Sequence, residues 1–279
     1  MRAGVGIVRI TSSLTREQFM GDRLAGKTAL ITGGSRGIGA AIAQAYAAQG
    51  CALVLNGRDA NRLAETASAI TREYKVPVHI LACDITDRDG VFAMAAAAEA
   101  WRPLDILVNN AGIHVAASFL DYSFDDFQRV MASNVYGVFH VTQAVLPAMI
   151  TRQRGRVINL ASSAGKWGSR NQSAYNASKH AVVGLTRCLG LEMAPHNVLV
   201  NAICPWVVET DMLRDFMAGH GAASGASAAD MMARLQASVP LQRWIQPAEV
   251  AGLAVYLASD EASYINGQAW AVDGGYTMI

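Results

Sequence analysis

The sequence predicts an α/β chain, one doubly wound domain built on a mostly parallel, seven-stranded sheet. Three observations carry this. Seven short runs rich in leucine and β-branched residues recur along the 279 residues, with long helical patterns between them. Most of these runs are apolar throughout, as expected for strands covered on both faces. The regular alternation of strand and helix indicates βαβ units, whose crossovers make neighbouring strands parallel.

In order, the predicted strands are 28–32, 52–56, 78–82, 105–110, 156–162, 198–204 and 268–275. The predicted helices are 38–49, 59–74, 87–101, 123–152, 174–194 and 247–258. A Gly/Ala/Ser tract, "AGHGAASGASAAD" (218–230), breaks the pattern. It reads either as a disordered insert or as a flap over a site, spanning about 208–240. Residues 1–24 read as a loose N-terminal extension, with Met20 a candidate natural start, and 25–279 as a single domain.

Composition narrows the function classes. With 52% hydrophobic and 16% charged residues, the chain can bury a large core. A net charge of +1 supplies no electrostatic footprint for nucleic acid. Cys51, Cys83, Cys188 and Cys204 form no CxxC pair and no cluster with histidine, so no metal site is expected and the thiols read as reduced. The apolar patch "VGIVRI" is short and broken by arginine, which suits neither a signal segment nor a membrane span. The expectation is a cytoplasmic protein without nucleic-acid or membrane partners.

The stretch "TGGSRGIG" (32–39) follows the first strand. In the first strand-to-helix turn of such a sheet, one glycine permits a tight turn and another lets backbone approach a phosphate. A third lets the helix pack on the strand. Gly33, Gly37 and Gly39 are spaced GxxxGxG, not GxGxxG, and a turn without a ligand is the alternative reading. "NNAG" (109–112) follows the fourth strand, and "YNASK" sets Tyr175 and Lys179 four residues apart on one helix face. Ser162 closes the fifth strand, thirteen residues before Tyr175, and "NGQAWAVDGG" closes the pattern.

With these motifs in this order, the chain resembles the short-chain dehydrogenase/reductase family, in its 3-oxoacyl-acyl-carrier-protein reductase-like subgroup, from Lys27 to Gly275. The resemblance implies a Rossmann-type fold and hydride transfer between a nicotinamide and a carbonyl or secondary alcohol. It implies Tyr175 as acid/base, Lys179 as the residue that tunes it and holds the nicotinamide ribose, and Ser162 as the group that orients the substrate oxygen. A free phenol, pKa about 10, is a poor base at neutral pH, and an adjacent ammonium lowers that value. Asn134, mid-helix and of poor helix propensity, is implied as the fourth catalytic residue, linked through water to Lys179. The plain alternatives are an exposed Tyr–Lys pair, a strand-end serine cap and a buried polar contact at Asn134, the last compatible with the catalytic role.

The same resemblance implies cofactor contacts from Gly33, Ser35, Arg36, Gly37, Ile38 and Gly39 in the first turn. It adds Asp84 and Ile85 at the adenine, Asn109, Asn110, Ala111 and Gly112 along the adenosine side, and Pro205, Val208 and Thr210 near the nicotinamide. Asp84 reads equally as a turn or cap residue. NAD-selective folds place a carboxylate at the end of strand two. Here that strand ends in Asn56, Gly57 and Arg58, and Asp59 reads as the start of the next helix. Arg36 and Arg58 can converge on a 2′-phosphate, which favours NADP, with NAD the alternative. Either arginine alone is commonly a solvated charge.

Substrate identity is barely encoded. His114, Trp167, Trp206 and Met212 are candidate walls, together with Met217, Met231 and Met232. Trp206 stands where the family usually has a glycine after proline, and it either narrows the pocket or packs away from it. Lys166 and Arg170 either hold an anionic group or are solvated. The resemblance implies a 3-oxoacyl thioester as one substrate class, with an acyl carrier protein as partner, and "RQRGR" (152–156) as a basic surface for it or an exposed helix end. An NAD-linked sugar or hydroxy-acid dehydrogenase is the alternative enzyme. A dinucleotide-binding regulator without turnover is the third reading, against which the intact catalytic set speaks. A homotetramer is implied by the resemblance alone.

Overall fold

The computed structural model describes residues 21–213 and 228–278. Residues 1–20, Met217, the 218–227 part of the Gly/Ala/Ser tract and the Met231 side chain lie outside the described residues. The elements are β1 Thr28–Thr32, α1 Gly37–Ala48, β2 Ala52–Gly57, α2 Ala60–Tyr74, β3 Val78–Ala82, α3 Arg88–Trp101 and β4 Ile106–Asn109. They continue with α4 Phe124–Met131, α5 Gly137–Thr151, β5 Gly155–Leu160, α6 Ser173–Met193, β6 Val198–Pro205, α7 Ala228–Ala237, α8 Pro247–Ala258 and β7 Ala269–Val272.

The strands lie in the order β3-β2-β1-β4-β5-β6-β7, and every neighbouring pair is parallel. The sheet is therefore wholly parallel, since helical crossovers connect its strands. It grows from β1 to β3 on one side and resumes with β4 on the other. The connections leaving β1 and β4 diverge, opening a crevice at their carboxyl ends.

Alternate residues of each strand feed opposite faces. Ala29, Ile31, Leu53, Leu55, Ile106, Val108 and Ile158 join one core with α1 and α8. Leu30, Val54, Leu107, Val157 and Val200 join the other, with α3 and α5. This two-sided burial is why the strands read as continuous apolar runs. Leu24, assigned by sequence to the extension, is fully buried in the first core, and its N–H donates to the Gln49 carbonyl. Packing thus begins ahead of residue 25.

The predicted 123–152 helix is not continuous. A π turn, Ala132–Tyr136, separates α4 from α5. The extra residue widens one turn, and Asn134 within it is bonded outside the helix, as described below.

The arginines of "RQRGR" lie at the amino ends of the strands. Arg152 pairs with Glu99 and donates to the Leu104 carbonyl at 2.7 Å. Arg154 pairs with Asp105, and the largely buried Arg156 lies 4.0 Å from Asp260. These cations are held in place by their own fold, at the sheet edge opposite Ser162. They supply no basic surface beside the catalytic candidates.

Candidate active site

The glycine-rich turn joins β1 to α1. A Cβ on Gly39 would lie 2.2 Å from the Gly33 carbonyl oxygen and 2.5 Å from Asn110 Nδ2, so only glycine lets α1 start this close to the strand. Thr32 and Asn110 hold the turn. Thr32 Oγ1 accepts the N–H groups of Asn110 and Ala111 at 3.0 and 3.1 Å, and Asn110 Nδ2 donates to the Thr32 and Gly33 carbonyls at 3.0 and 3.1 Å. The sequence reading missed Thr32, although it opens the motif.

α1 differs from α2, α3 and α4 at its amino end. Those helices are capped by the side chains of Asp59, Asp87 and Ser123, whereas α1 has no side-chain cap and no acidic residue in its first turn. Its unpaired N–H groups and positive end face the crevice. This is the chemistry a pyrophosphate meets at such a turn, so the residues present fit a dinucleotide. A Cβ on Gly37 would approach only Thr210, at 3.4 Å, which sets Thr210 across the turn.

At the end of β2, Asn56 is fully buried and holds the Leu81 and Cys83 carbonyls at 3.0 and 3.1 Å. Asp59 caps α2 through the Arg62 N–H, as its predicted place implies. No carboxylate thus ends β2. Arg36 is exposed and has no carboxylate partner among the described residues. Arg58, with a side chain 74% exposed, is 3.9 Å from Asp84. Asp84 accepts from the Thr86 N–H and hydroxyl, both at 2.9 Å, so it forms the turn that was its alternative reading and stays beside the crevice. Ile85 is buried in the second core against the position of Gly137. Asn109 does not line the crevice. Its amide donates to Thr142 Oγ1 and Asn159 Oδ1, both at 2.9 Å, inside the packed layers.

The four catalytic candidates come together at the carboxyl ends of β4 and β5. Ser162 caps a short 3₁₀ turn, Ser163–Gly165, through the Ala164 N–H at 3.1 Å, and its hydroxyl donates to the Pro205 carbonyl at 3.4 Å. A hydrogen bond also links it to Tyr175. The strand-end cap and the neighbour of Tyr175 are therefore the same serine. Lys179, one turn further along α6, is 6% exposed, and its Nζ donates to the Leu160 carbonyl at 2.7 Å. Nζ lies 5.6 Å from the Tyr175 ring centroid. Asn134 Oδ1 accepts the Ile113 N–H at 2.8 Å, while its amide donates to the Ile113 carbonyl at 2.9 Å and to Ser178 Oγ at 3.1 Å. A Cβ on Gly112 would touch Asn134 Oδ1 at 3.0 Å and Lys179 Nζ at 3.8 Å, so Gly112 keeps open the gap between them.

Burial pushes the Tyr175 phenol above its ordinary value, and its hydrogen bond with Ser162 pulls the other way. The Lys179 ammonium points at the Leu160 carbonyl. Burial brings Lys179 itself down to about 8. Cys204 lies below the pair, its thiol raised by the same desolvation.

A cavity of about 190 Å³ opens above Ser162 and Tyr175. His114, Trp167, Trp206 and Met212 all line it, as do Val208 and Thr210. His114 meets the Tyr175 ring edge-on, with centroids 4.9 Å apart. Trp206 both faces the cavity and packs, since its ring stacks on Trp244 at 5.8 Å. Lys166 and Arg170 are exposed and are not part of the lining. Tyr276 and Leu235 also line it, with no local sequence signal to mark them.

Comparison with known proteins follows this geometry. Residues 33–277 match the family profile described as enoyl-(acyl carrier protein) reductase. The protein assigned as ketoacyl reductase of the monensin polyketide synthase of Streptomyces virginiae is 42% identical over 255 residues, 89% of this chain and 96% of that protein. The 3-oxoacyl-[acyl-carrier-protein] reductase of Aquifex aeolicus is 35% identical, covering 91% of this chain and 98% of that one. The chain belongs to the short-chain dehydrogenase/reductase family. A tryptophan variant of actinorhodin polyketide ketoreductase, solved with NADPH, superposes with a TM-score of 0.87 at 36% identity over 92% of this chain and 99% of that one. As a member of this family, the protein is an NAD(P)-dependent oxidoreductase that interconverts carbonyl and alcohol groups. Among the described residues, no helix is long and apolar enough to cross a membrane and no group of side chains could hold a metal ion.

Proposed function

We propose that the protein is an NADPH-dependent carbonyl reductase in which Tyr175 delivers the proton. The convergence of Ser162, Tyr175, Lys179 and Asn134 beside an uncapped, glycine-opened helix start carries this reading. When bound, the dihydronicotinamide supplies the hydride. Ser162 and Tyr175 hydrogen-bond the substrate oxygen, and the Tyr175 hydroxyl protonates it as negative charge develops. A phenol pushed up by burial stays protonated at neutral pH, the form that donates, so the site suits reduction. The reverse reaction needs phenolate and gains with rising pH. Lys179 holds the ribose side and Asn134 fixes the loop that carries Gly112 and Ile113. Gly33, Ser35, Gly37, Ile38, Asn110, Ala111, Pro205, Val208 and Thr210 bound the cofactor crevice.

The absence of a carboxylate at the end of β2, with Arg36 and Arg58 exposed there, favours NADP over NAD. The test is a fluorescence titration with NADPH and NADH on wild type and Arg58→Ala. Much tighter NADPH binding that collapses in the variant supports the reading. Equal or tighter NADH binding overturns the selectivity.

The relatives' names extend the substrate range to 3-oxoacyl thioesters, but the paired arginines at 152–156 offer no carrier-protein surface beside the site. We expect a cytoplasmic homotetramer. Phe124, Tyr136 and Phe139 expose apolar surface on α4, the π turn and α5, β7 exposes Trp270, and all four thiols are free. Light scattering on the eluted protein measures the assembly.

A further inference from the structure

The cavity wall, rather than the catalytic cluster, carries information about the substrate. Three of its aromatic rings are contiguous. Trp206 lies 5.0 Å from Tyr276, and Tyr276 lies 5.7 Å from Trp167, centroid to centroid. Trp244 backs Trp206 with its ring nearly parallel, at 10°. The wall is anchored at both ends. The Trp206 N–H donates to the Val272 carbonyl at 3.0 Å, which fixes the tryptophan to β7. Asp273 accepts the Gly275 and Thr277 N–H groups, both at 3.0 Å, which shapes the turn presenting Tyr276.

The lining contains no Asp, Glu, Lys or Arg among the described residues. Its polar side chains include Ser162, Ser163, Ser169, Gln172, Thr210, Tyr175, Tyr276 and the ring of His114. Lys166 is exposed outside the lining, and its charge reaches both the Cys204 thiol and the Asp273 carboxylate. A carboxylate brought into this cavity would lose water and find no Lys or Arg among the described lining residues, a costly arrangement. A flat apolar body would meet aromatic faces in offset or edge-on geometry instead.

We infer that the site takes an uncharged, ring-bearing ketone, with Trp206 as the residue that selects for the ring. This rests on the reading of the site as a carbonyl reductase. It disfavours the hydroxy-acid substrates that the motifs alone left open.

The test uses the full chain with NADPH and three ketones: 1-tetralone, levulinate, and the neutral methyl ester of levulinate. The levulinate pair isolates charge, and the ester against tetralone isolates the ring. The expected kcat/KM is at least 100-fold higher for tetralone than for levulinate, with the ester between them. Trp206→Ala should lower the tetralone-to-ester ratio at least tenfold, mainly through KM, with NADPH affinity unchanged. Trp206→Phe, which keeps a ring and less disturbs the packing, should restore most of that ratio. Binding of 2-naphthol, followed by saturation-transfer NMR, gives a readout independent of turnover and should weaken in Trp206→Ala. Levulinate reduced as well as tetralone would overturn the aromatic wall and leave the reductase standing. Naphthol binding that depends on Trp206, with no carbonyl reduced, would overturn the reductase and leave the wall. A ratio unmoved by Trp206→Ala, or no naphthol binding, would also overturn the wall.

Discussion

At the amino ends of the strands, charges sit in pairs. Lys27 meets Asp260 at 2.7 Å, Arg23 meets Glu261 at 2.7 Å, and Arg154 and Arg152 meet Asp105 and Glu99. At the carboxyl ends the arrangement is inverted. Lys179 and Asn134 are buried and Tyr175 half-buried, none with an ionic partner, and the cations near the crevice are loosely held, with Arg58 only 3.9 Å from Asp84. One sheet thus presents an end whose charged groups are tightly paired within the fold and an end whose charged groups are not. Substitutions at the first should move stability and leave turnover alone. Substitutions at the second should lower turnover.

The sharpest way to break this contrast is Tyr175→Phe. The variant keeps the ring against His114 and loses only the hydroxyl, so kcat for ketone reduction should fall by about 10³-fold, within the range for a general acid. NADPH affinity, measured by fluorescence, should stay within about twofold. Retention of a tenth of the wild-type kcat would remove Tyr175 from the proton path.

Lys179→Met tests whether the carboxyl end carries a cost. Below about pH 8 the lysine is charged in both folded and unfolded states, and the folded state bears the burial of that charge. Between about 8 and the ordinary value of 10.5, the unfolded chain binds more protons, so wild-type stability rises with pH. Relative to the methionine variant, wild type should gain on the order of 3 kcal/mol across that window, read from urea midpoints at several pH values. A flat difference would place the lysine in water. The variant should also lose turnover.

Smaller effects follow at the rim and at the opposite edge. Arg58→Ala should weaken NADPH at least about tenfold and leave NADH unchanged, as for loss of a charge-assisted hydrogen bond. Asp105→Asn removes the carboxylate that accepts from the Thr28 N–H at 2.9 Å and pairs with Arg154. It should lower stability by about 1–2 kcal/mol, a few degrees in Tm, with kcat/KM and NADPH affinity within twofold. A comparable loss of activity would mean that the two ends are not independent.

The strands and the residues gathered in the candidate site were legible because they depend on local pattern. Apolar runs of strand length, glycines after the first and Tyr175 four residues before Lys179 all declare themselves within a short window. Asn134 was legible as an oddity in a helix, though not as the centre of a π turn. What escaped depends on distant residues. Nothing near Lys179 shows that its ammonium is aimed at Leu160, and no periodicity joins Trp167, Trp206, Trp244 and Tyr276. The "RQRGR" run read as either a basic surface or an exposed helix end because its partners Glu99, Asp105 and Asp260 lie far away in sequence.

The π turn at Ala132–Tyr136 has a consequence for how the chain tolerates insertions and deletions. The extra residue is absorbed within that one widened turn, so α5 keeps the phase of an unbroken helix and Val141, Val145 and Met149 stay on the core face. Removing a single residue from 132 to 136 should close the turn to ordinary α geometry, with those side chains still toward the sheet but Asn134 pulled off Ile113. The polar site would then be lost from a helix that still packs.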